Sequence, residues 1–232
     1  MITHQKSSFA RLCSVMLSVV IILLVQKEAM AVTTPMSISD LSRYFWFSNL
    51  SEMSSGVVSR QASSYDRTDG NGDSALAMGF DQESTGVVLL ECDGPGVITR
   101  IWCGGHIPIH LYIYLDGCET PVVDMGIEEL TSGEYYPFVK PLVGGMEDSS
   151  GGYYCYVPIP FAKSLKVVAD CPGYYNINYQ KYPVGSKIVS FTGQENVDSL
   201  VEIMNHIGEN PTGSSEIDTR VTGDLASGES MT

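Results

Sequence analysis

The residues of this chain whose types and spacing could do chemistry lie together in Ser63-Ser64-Tyr65-Asp66-Arg67-Thr68-Asp69-Gly70-Asn71-Gly72-Asp73. These eleven residues hold three aspartates, an asparagine, an arginine, a tyrosine and two glycines, with no aliphatic side chain. Such a segment has little to bury, which predicts a loop whose side chains face water, a ligand or one another. Asp69-x-Asn71-x-Asp73 opens like a calcium loop, but an EF-hand wants glycine at the sixth position and glutamate at the twelfth. The chain has Ser74 and Phe80 there, which excludes an EF-hand. A non-EF calcium site of Asp66, Asp69, Asn71 and Asp73 is left as an alternative, since hard cations take several oxygen ligands. Gly70-x-Gly72-x-x-Ala75 has the glycine spacing of a dinucleotide loop. That motif needs a strand before it and a helix N-terminus beneath the pyrophosphate, whereas aspartates precede it here and would repel phosphate. A purely structural reading stands beside these: Arg67 forming a two-pronged pair with Asp66 or Asp73.

Other catalytic signatures are absent from the sequence. It has no phosphate-binding P-loop, no Gly-x-Ser-x-Gly elbow and no His-Glu-x-x-His. His106 and His110 are four residues apart, a spacing that brings side chains together on a helix and not on a strand. Cys103 near His106 lacks an orienting third group, so no thiol nucleophile is assigned. Carboxylates are plentiful in turn-rich segments: Asp66, Asp69, Asp73, Asp93, Asp116, Glu128, Glu129, Glu134, Glu147 and Asp148. Glycoside hydrolysis takes two carboxyl groups flanking the scissile bond. Spacing chooses no pair, because in a sandwich the partners come from different loops, and the catalytic residues stay unassigned.

The elements that must position the loop are strands. Val57-Val58 reads as a short strand before it. Val87 to Cys92 is a compact apolar run ended by Asp93-Gly94-Pro95-Gly96, a strong turn signal. Val97 to Cys103 and Ile109 to Leu115 follow with apolar alternation, and Asp116-Gly117 predicts a hairpin turn before a returning strand, Thr120 to Met125. Tyr135 to Val139, Tyr153 to Val157, Ser164 to Ala169 and Tyr174 to Tyr179 continue the series, with Lys187 to Phe191 as a further candidate. Turns recur every ten to fifteen residues and no helical period interrupts them. The expectation is an all-β fold: an antiparallel β-sandwich of jelly-roll type over residues 57–192. A short helix after Ser39-Asp40-Leu41 belongs to a lead-in over 32–56. A second helix is expected over 193–208, capped by Asp198, with Leu200, Val201, Met204 and Ile207 on one face. Residues 209–232 have almost nothing apolar and read as a disordered tail.

The first thirty or so residues read as a targeting segment. Lys6 and Arg11 precede an apolar run of fourteen residues, Leu12 to Val25, and Ala29-Met30-Ala31 supplies a small-x-small cleavage pattern. A signal peptide over 1–31 is expected, and with it a secreted or periplasmic location. A stable membrane anchor is not expected, since spanning takes about 20 apolar residues. The chain of 232 residues carries a formal net charge of −14. Losing Lys6, Arg11, Lys27 and Glu28 with the leader makes the remainder more acidic still, which argues against nucleic acid or anionic lipid as partners. Of six cysteines, Cys13 lies in the leader. Cys92, Cys103, Cys118, Cys155 and Cys171 are widely spaced, and either one or two disulfides or buried thiols within strands fit them.

The order of segments then carries a resemblance. The 63–73 stretch is similar to the S-S-Y-D-R-T-G-G-N-x-D signature near the start of glycoside hydrolase family 172. Asp93-Gly94-Pro95-Gly96-Val97-Ile98-Thr99-Arg100-Ile101-Trp102 resembles its x-G-P-G-x-I-x-R-I-W segment. Leu111 to Gly117 with Thr120-Pro121 resembles its L-R-I-Y-x-D-G-x-x-x-P hairpin, and Tyr156 to Phe161 with Lys163-Ser164 its Y-x-P-x-P-F-x-K-S. The resemblance implies a jelly roll, assembly into oligomers, and retaining hydrolysis or transfer of furanosidic sugars such as fructose and arabinose. It implies Tyr65, Asp66, Arg67, Asn71 and Asp73 as sugar-contacting or loop-ordering residues. Tyr65 would either stack on a furanose or plug the sandwich end. Asp69 departs from the pattern, which has glycine there. The family's G-T-G-T-E-D-Y-F segment, associated with the catalytic carboxylates, has no counterpart in this sequence. The chain is therefore expected to hold the N-terminal half only, either truncated or completed by a partner that supplies the rest, and a homo-oligomer is the other expected partner. A non-catalytic carbohydrate-binding module and a calcium-dependent structural domain are the competing expectations; no cofactor is otherwise called for.

Overall fold

The computed structural model describes residues 35–36, 56–73, 82–83, 86–105, 109–171 and 173–209. The expected leader, the helix after Ser39, His106 and the tail beyond residue 209 lie outside these. The strands are β1 (Val58–Ser63), β2 (Gln82–Glu83), β3 (Gly86–Asp93), β4 (Gly96–Gly104), β5 (His110–Leu115), β6 (Val123–Gly126), β7 (Val143–Gly144), β8 (Gly152–Cys155), β9 (Ile159–Phe161), β10 (Ser164–Ala169) and β11 (Tyr174–Lys181). Two helices are described, α1 (Ile127–Thr131) and α2 (Asp198–Asn205).

Two antiparallel sheets result. One runs β1-β11-β4-β8-β7, with β9 also on β4, and the other runs β2-β3-β10-β5-β6. Strands distant in sequence pair, β3 with β10 and β4 with β11, as in a jelly-roll type of sandwich. The chain passes repeatedly from one sheet to the other, and the inward residues of both sheets meet in one core. In β5, Leu111, Ile113 and Leu115 are buried while His110, Tyr112 and Tyr114 are half-exposed, the period of a strand with one wet face. Ile98, Ile101, Leu165, Val167, Tyr175 and Ile177 close the core from neighbouring strands. Each large apolar side chain buried there contributes about 1.5–3 kcal/mol.

The departures from expectation have local causes. Tyr135–Val139 forms no strand: Pro137 has no N–H for a ladder, and Tyr135 and Phe138 make only an isolated bridge. Ile127–Thr131 is a helix, where strand alternation was expected to run without interruption. One turn is too short to show a 3.6-residue period, and Ile127 and Leu130 anchor it in the core. Lys187–Phe191 contributes a single parallel bridge, Ile188 with Met36. Asp198 is the first residue of α2 and does not cap it; Val197 holds that position without a side-chain bond. Leu200 is buried, but Ile207 falls beyond the helix end and is 72% exposed. Neither helix is long and apolar enough to cross a membrane.

Strand register assigns the loops to two ends. Ser63 pairs with Asn176, Tyr174 with Gly104 and Gly104 with Gly152. In the other sheet Ala169 pairs with Leu111 and Val87, and His110 with Gly126. One end of the sandwich therefore carries the 64–73 loop, Gly105 and Ile109, Asp170, Cys171 and Gly173, α1 and the turn before Gly152. The opposite end carries 94–95, 116–122 and 162–163.

Candidate functional site

The 64–73 loop leaves β1 at the sheet edge and is pinned at its root. Ser64 is buried; its amide donates to the Tyr175 carbonyl and its hydroxyl accepts from the Tyr175 amide, both at 3.2 Å. The Tyr175 side chain then crosses the core and its hydroxyl donates to the Leu89 carbonyl at 3.0 Å, in the opposite sheet. Burial of that phenol pushes its pKa up to about 12, so it is a permanent donor.

Beyond the root the loop orders itself around Asp66. Its Oδ1 accepts from the Thr68 amide at 2.8 Å and the Thr68 hydroxyl at 2.6 Å, and its Oδ2 accepts from the Gly72 amide at 3.0 Å. The Thr68 hydroxyl, then the Thr68 and Gly72 amides, hold the carboxyl below the usual aspartate range. Asp73 closes the ring from the other side: its Oδ1 accepts from the Asp66 amide at 2.7 Å. Gly70 is required by this packing, because a Cβ there would lie 2.4 Å from Asp66 Oδ2. Asp69, the residue where glycine was expected, takes φ +62°, a left-handed turn that aspartate tolerates better than most residues.

Arg67 departs from the expected carboxylate pair. Among the described residues its guanidinium donates to the carbonyls of Tyr65 at 3.1 Å and Ser63 at 3.2 Å, and lies 4.4 Å from the centre of the Tyr65 ring. Tyr65 is 57% exposed and does not plug the sandwich end. Asn71 is exposed at the loop tip. Asp66, Arg67 and Asp73 thus hold the loop's shape, while Tyr65 and Asn71 face outward. Among the described residues no three His, Cys, Asp or Glu side chains are grouped to hold a metal ion, and the Asp66 oxygens are turned onto N–H and O–H donors.

The same end bears a second polar group at its other corner, where α1 packs on β8. Glu128 accepts from the Tyr153 hydroxyl at 3.1 Å, and His110 Nε2 lies 2.7 Å from Asp124 Oδ1. Asp170 accepts from the His110 amide at 2.8 Å. A depression of about 430 Å³ is lined by His110, Glu128, Glu129 and Asp170 among others. Asp148 is paired with Lys140 at 2.9 Å, and that bond, with the Gly145 amide, holds its carboxyl low. Of these, the sequence singled out Glu128, Glu129 and Asp148 only as turn carboxylates and His110 only beside His106, while Asp124, Asp170 and Tyr153 drew no notice as site residues. Their meeting depends on which strands pair, which no local pattern announces.

Asp116 belongs to the opposite end and is a structural knot. Its carboxylate accepts from the Lys163 amide at 2.6 Å and the Ser190 hydroxyl at 2.5 Å. Burial works to raise its pKa, but the Ser190, Lys163 and Ser164 donors outweigh it and hold the carboxyl low.

No curated protein matches the chain. The family model described as GH172 first beta-sandwich domain matches residues 55–199, the span from just before β1 to the start of α2, with the 63–73 loop inside it. The chain belongs to the GH172 glycoside hydrolase family, and its residues 55–199 match that family's first β-sandwich domain.

Proposed function

We propose that this sandwich is the sugar-holding part of an exported furanosidase, with the 64–73 loop contacting a fructofuranosyl or arabinofuranosyl unit. The observation that carries the reading is the self-sufficiency of the loop. Asp66, Asp73 and Arg67 satisfy the loop's own backbone, which fixes Tyr65 and Asn71 in place before any ligand arrives. A tyrosine ring offers a face for a furanose, and an asparagine amide offers a donor and an acceptor for adjacent hydroxyls. Pre-ordering removes an entropic cost from binding.

The two carboxyl groups of a retaining mechanism come, on this reading, from outside these 232 residues, on a further part of the polypeptide or on a partner polypeptide. Hydrolysis of aryl arabinofuranoside and fructofuranoside tests this together with calorimetric binding of the same sugars. The purified protein is expected to bind without turnover, and an Asn71→Ala variant to bind several-fold more weakly. Sugar release by the protein by itself would overturn the divided active site. Absence of binding to either furanoside would overturn the carbohydrate reading, and a Tm that falls in EDTA would favour a calcium-dependent structural role instead. N-terminal sequencing of the exported product, expected to begin at Val32, tests the leader.

A further inference from the structure

The outward face of the sheet containing β4 and β8 carries more than solvated polar side chains. The cross-strand row Ser63, Asn176, Trp102, Tyr154, Gly144 runs across all five strands of the β1-β11-β4-β8-β7 order. The strand neighbours of its central members, Ile101, Cys103, Tyr153, Cys155, Tyr175 and Ile177, are buried in the core, so alternation turns this row outward.

Its two aromatic rings lie flat on bare backbone. A Cβ on Gly104 would meet the Trp102 ring at 2.5 Å, and one on Gly152 would meet the indole Nε1 at 2.6 Å. A Cβ on Gly144 would meet the Tyr154 ring at 2.5 Å. Three glycines on the same face are thus the seats of two rings, and each ring, half-buried, keeps its other side to solvent. Tyr156 stands beside Tyr154, with ring centres 5.4 Å apart. The surroundings are polar. Gln61 donates to the Asn176 side chain, Arg100 Nη1 reaches Asn178 Oδ1 at 3.5 Å, and Arg100 Nε has no hydrogen-bond partner among the described residues.

We propose that this face is a stacking platform for a neutral carbohydrate chain, running over Tyr154 and Trp102 toward the 64–73 loop. The proposal rests on the preceding reading for the direction of the chain, since the row ends at Ser63, the last residue before the loop. The platform itself rests on geometry. Sugar rings present flat C–H faces that need a plane, and their hydroxyls need amide and guanidinium partners at the rim. A protein partner would favour aromatic anchors in pockets with an apolar core around them, whereas Trp102 is paired across the strands with Asn176, and Tyr154 lies near Tyr156 and the Lys140–Asp148 ion pair, whose charges cancel.

Isothermal titration of the full chain with soluble arabinan, inulin and dextran tests it, against Trp102→Ala, Tyr154→Ala and Gly152→Val, the last keeping both rings but lifting the indole from its seat. At least one polymer is expected to bind, and Trp102→Ala to weaken it by about tenfold or more with Tm unchanged. Gly152→Val should weaken it as well, while binding of a short furanoside at the loop stays as in the unmodified protein. Should Trp102→Ala fail to fold, the unmodified protein still decides, since polymer binding must shift its indole fluorescence. No binding to any polymer, or equal binding by Trp102→Ala, would overturn the platform and leave the loop reading standing. Conversion of an oligomer to monomers by Trp102→Ala would also overturn it, by making the face a protein interface.

Discussion

The Gly72 amide donates to Asp66 Oδ2 at 3.0 Å, and the position of that oxygen is one that only a residue without a side chain at 70 allows. The two glycines of the loop therefore serve one carboxylate: one gives it room, the other a donor. Gly70→Ala should displace the Asp66 side chain, since the added carbon would sit 2.4 Å from it. Amide exchange at Thr68 and Gly72 should rise by an order of magnitude or more, with strands β3, β4 and β10 unaffected. Unchanged protection would mean that the Asp66 bonds do not order the loop.

The root of the loop is tied to the core through Tyr175. Tyr175→Phe removes the buried hydrogen bond to the Leu89 carbonyl, at a cost of about 0.5–1.5 kcal/mol. Ser64→Ala removes the acceptor of the Tyr175 amide and should cost about 1–2 kcal/mol. The two share Tyr175, so the double variant should depart from additivity in urea unfolding. A strictly additive pair would show that root and core are independent.

The cysteines divide sharply by environment. Cys103 and Cys155 are buried, which pushes each thiol up to about 12, and Cys118 is exposed. At neutral pH a maleimide should label Cys118 within minutes and reach Cys103 and Cys155 only after denaturation. Cys92, Cys103, Cys118 and Cys155 form no disulfide among the described residues, which favours the thiol reading over the disulfide one for them. Modification of all four under denaturing, non-reducing conditions, mapped by peptide, would agree; any of the four left unmodified would show a disulfide.

Much of the scaffold could be read from residue order, because it rests on local signals. Alternation in His110–Leu115, the compact run Val87–Leu90 and the Asp93-Gly94-Pro95-Gly96 turn each act within a few residues. The loop was legible for the same reason: a stretch without aliphatic side chains has nothing to bury. What Arg67 does was not legible, since carbonyls two and four residues back are geometrically as near as the carboxylates, and chain direction decides between them. Glu128 meets Tyr153 through the packing of α1 on β8, and Trp102 meets Tyr154 through strand pairing, across 25 and 52 positions that no window of sequence contains. Helix α1 was missed because a single turn anchored by Ile127 and Leu130 has no period to detect.

Acid should loosen the loop before it unfolds the sandwich. Asp66 has its folded-state pKa held below the unfolded value by the Thr68 hydroxyl and the Thr68 and Gly72 amides. Its contribution to loop order is therefore complete above about pH 4 and is lost as pH falls through the lower folded value. Asp148, held down by Lys140, and Asp116, held down by Ser190 and its amide donors against burial, act in the same direction elsewhere on the molecule. Amide signals of Thr68 and Gly72 followed from pH 6 downward should shift together, with a midpoint below that of an unstructured aspartate. Asp66→Asn should abolish that shared step while leaving the transitions near Asp116 and Asp148 in place. A Thr68 signal that titrates at the ordinary aspartate value, or one that still titrates in Asp66→Asn, would show that the carboxylate does not hold the loop.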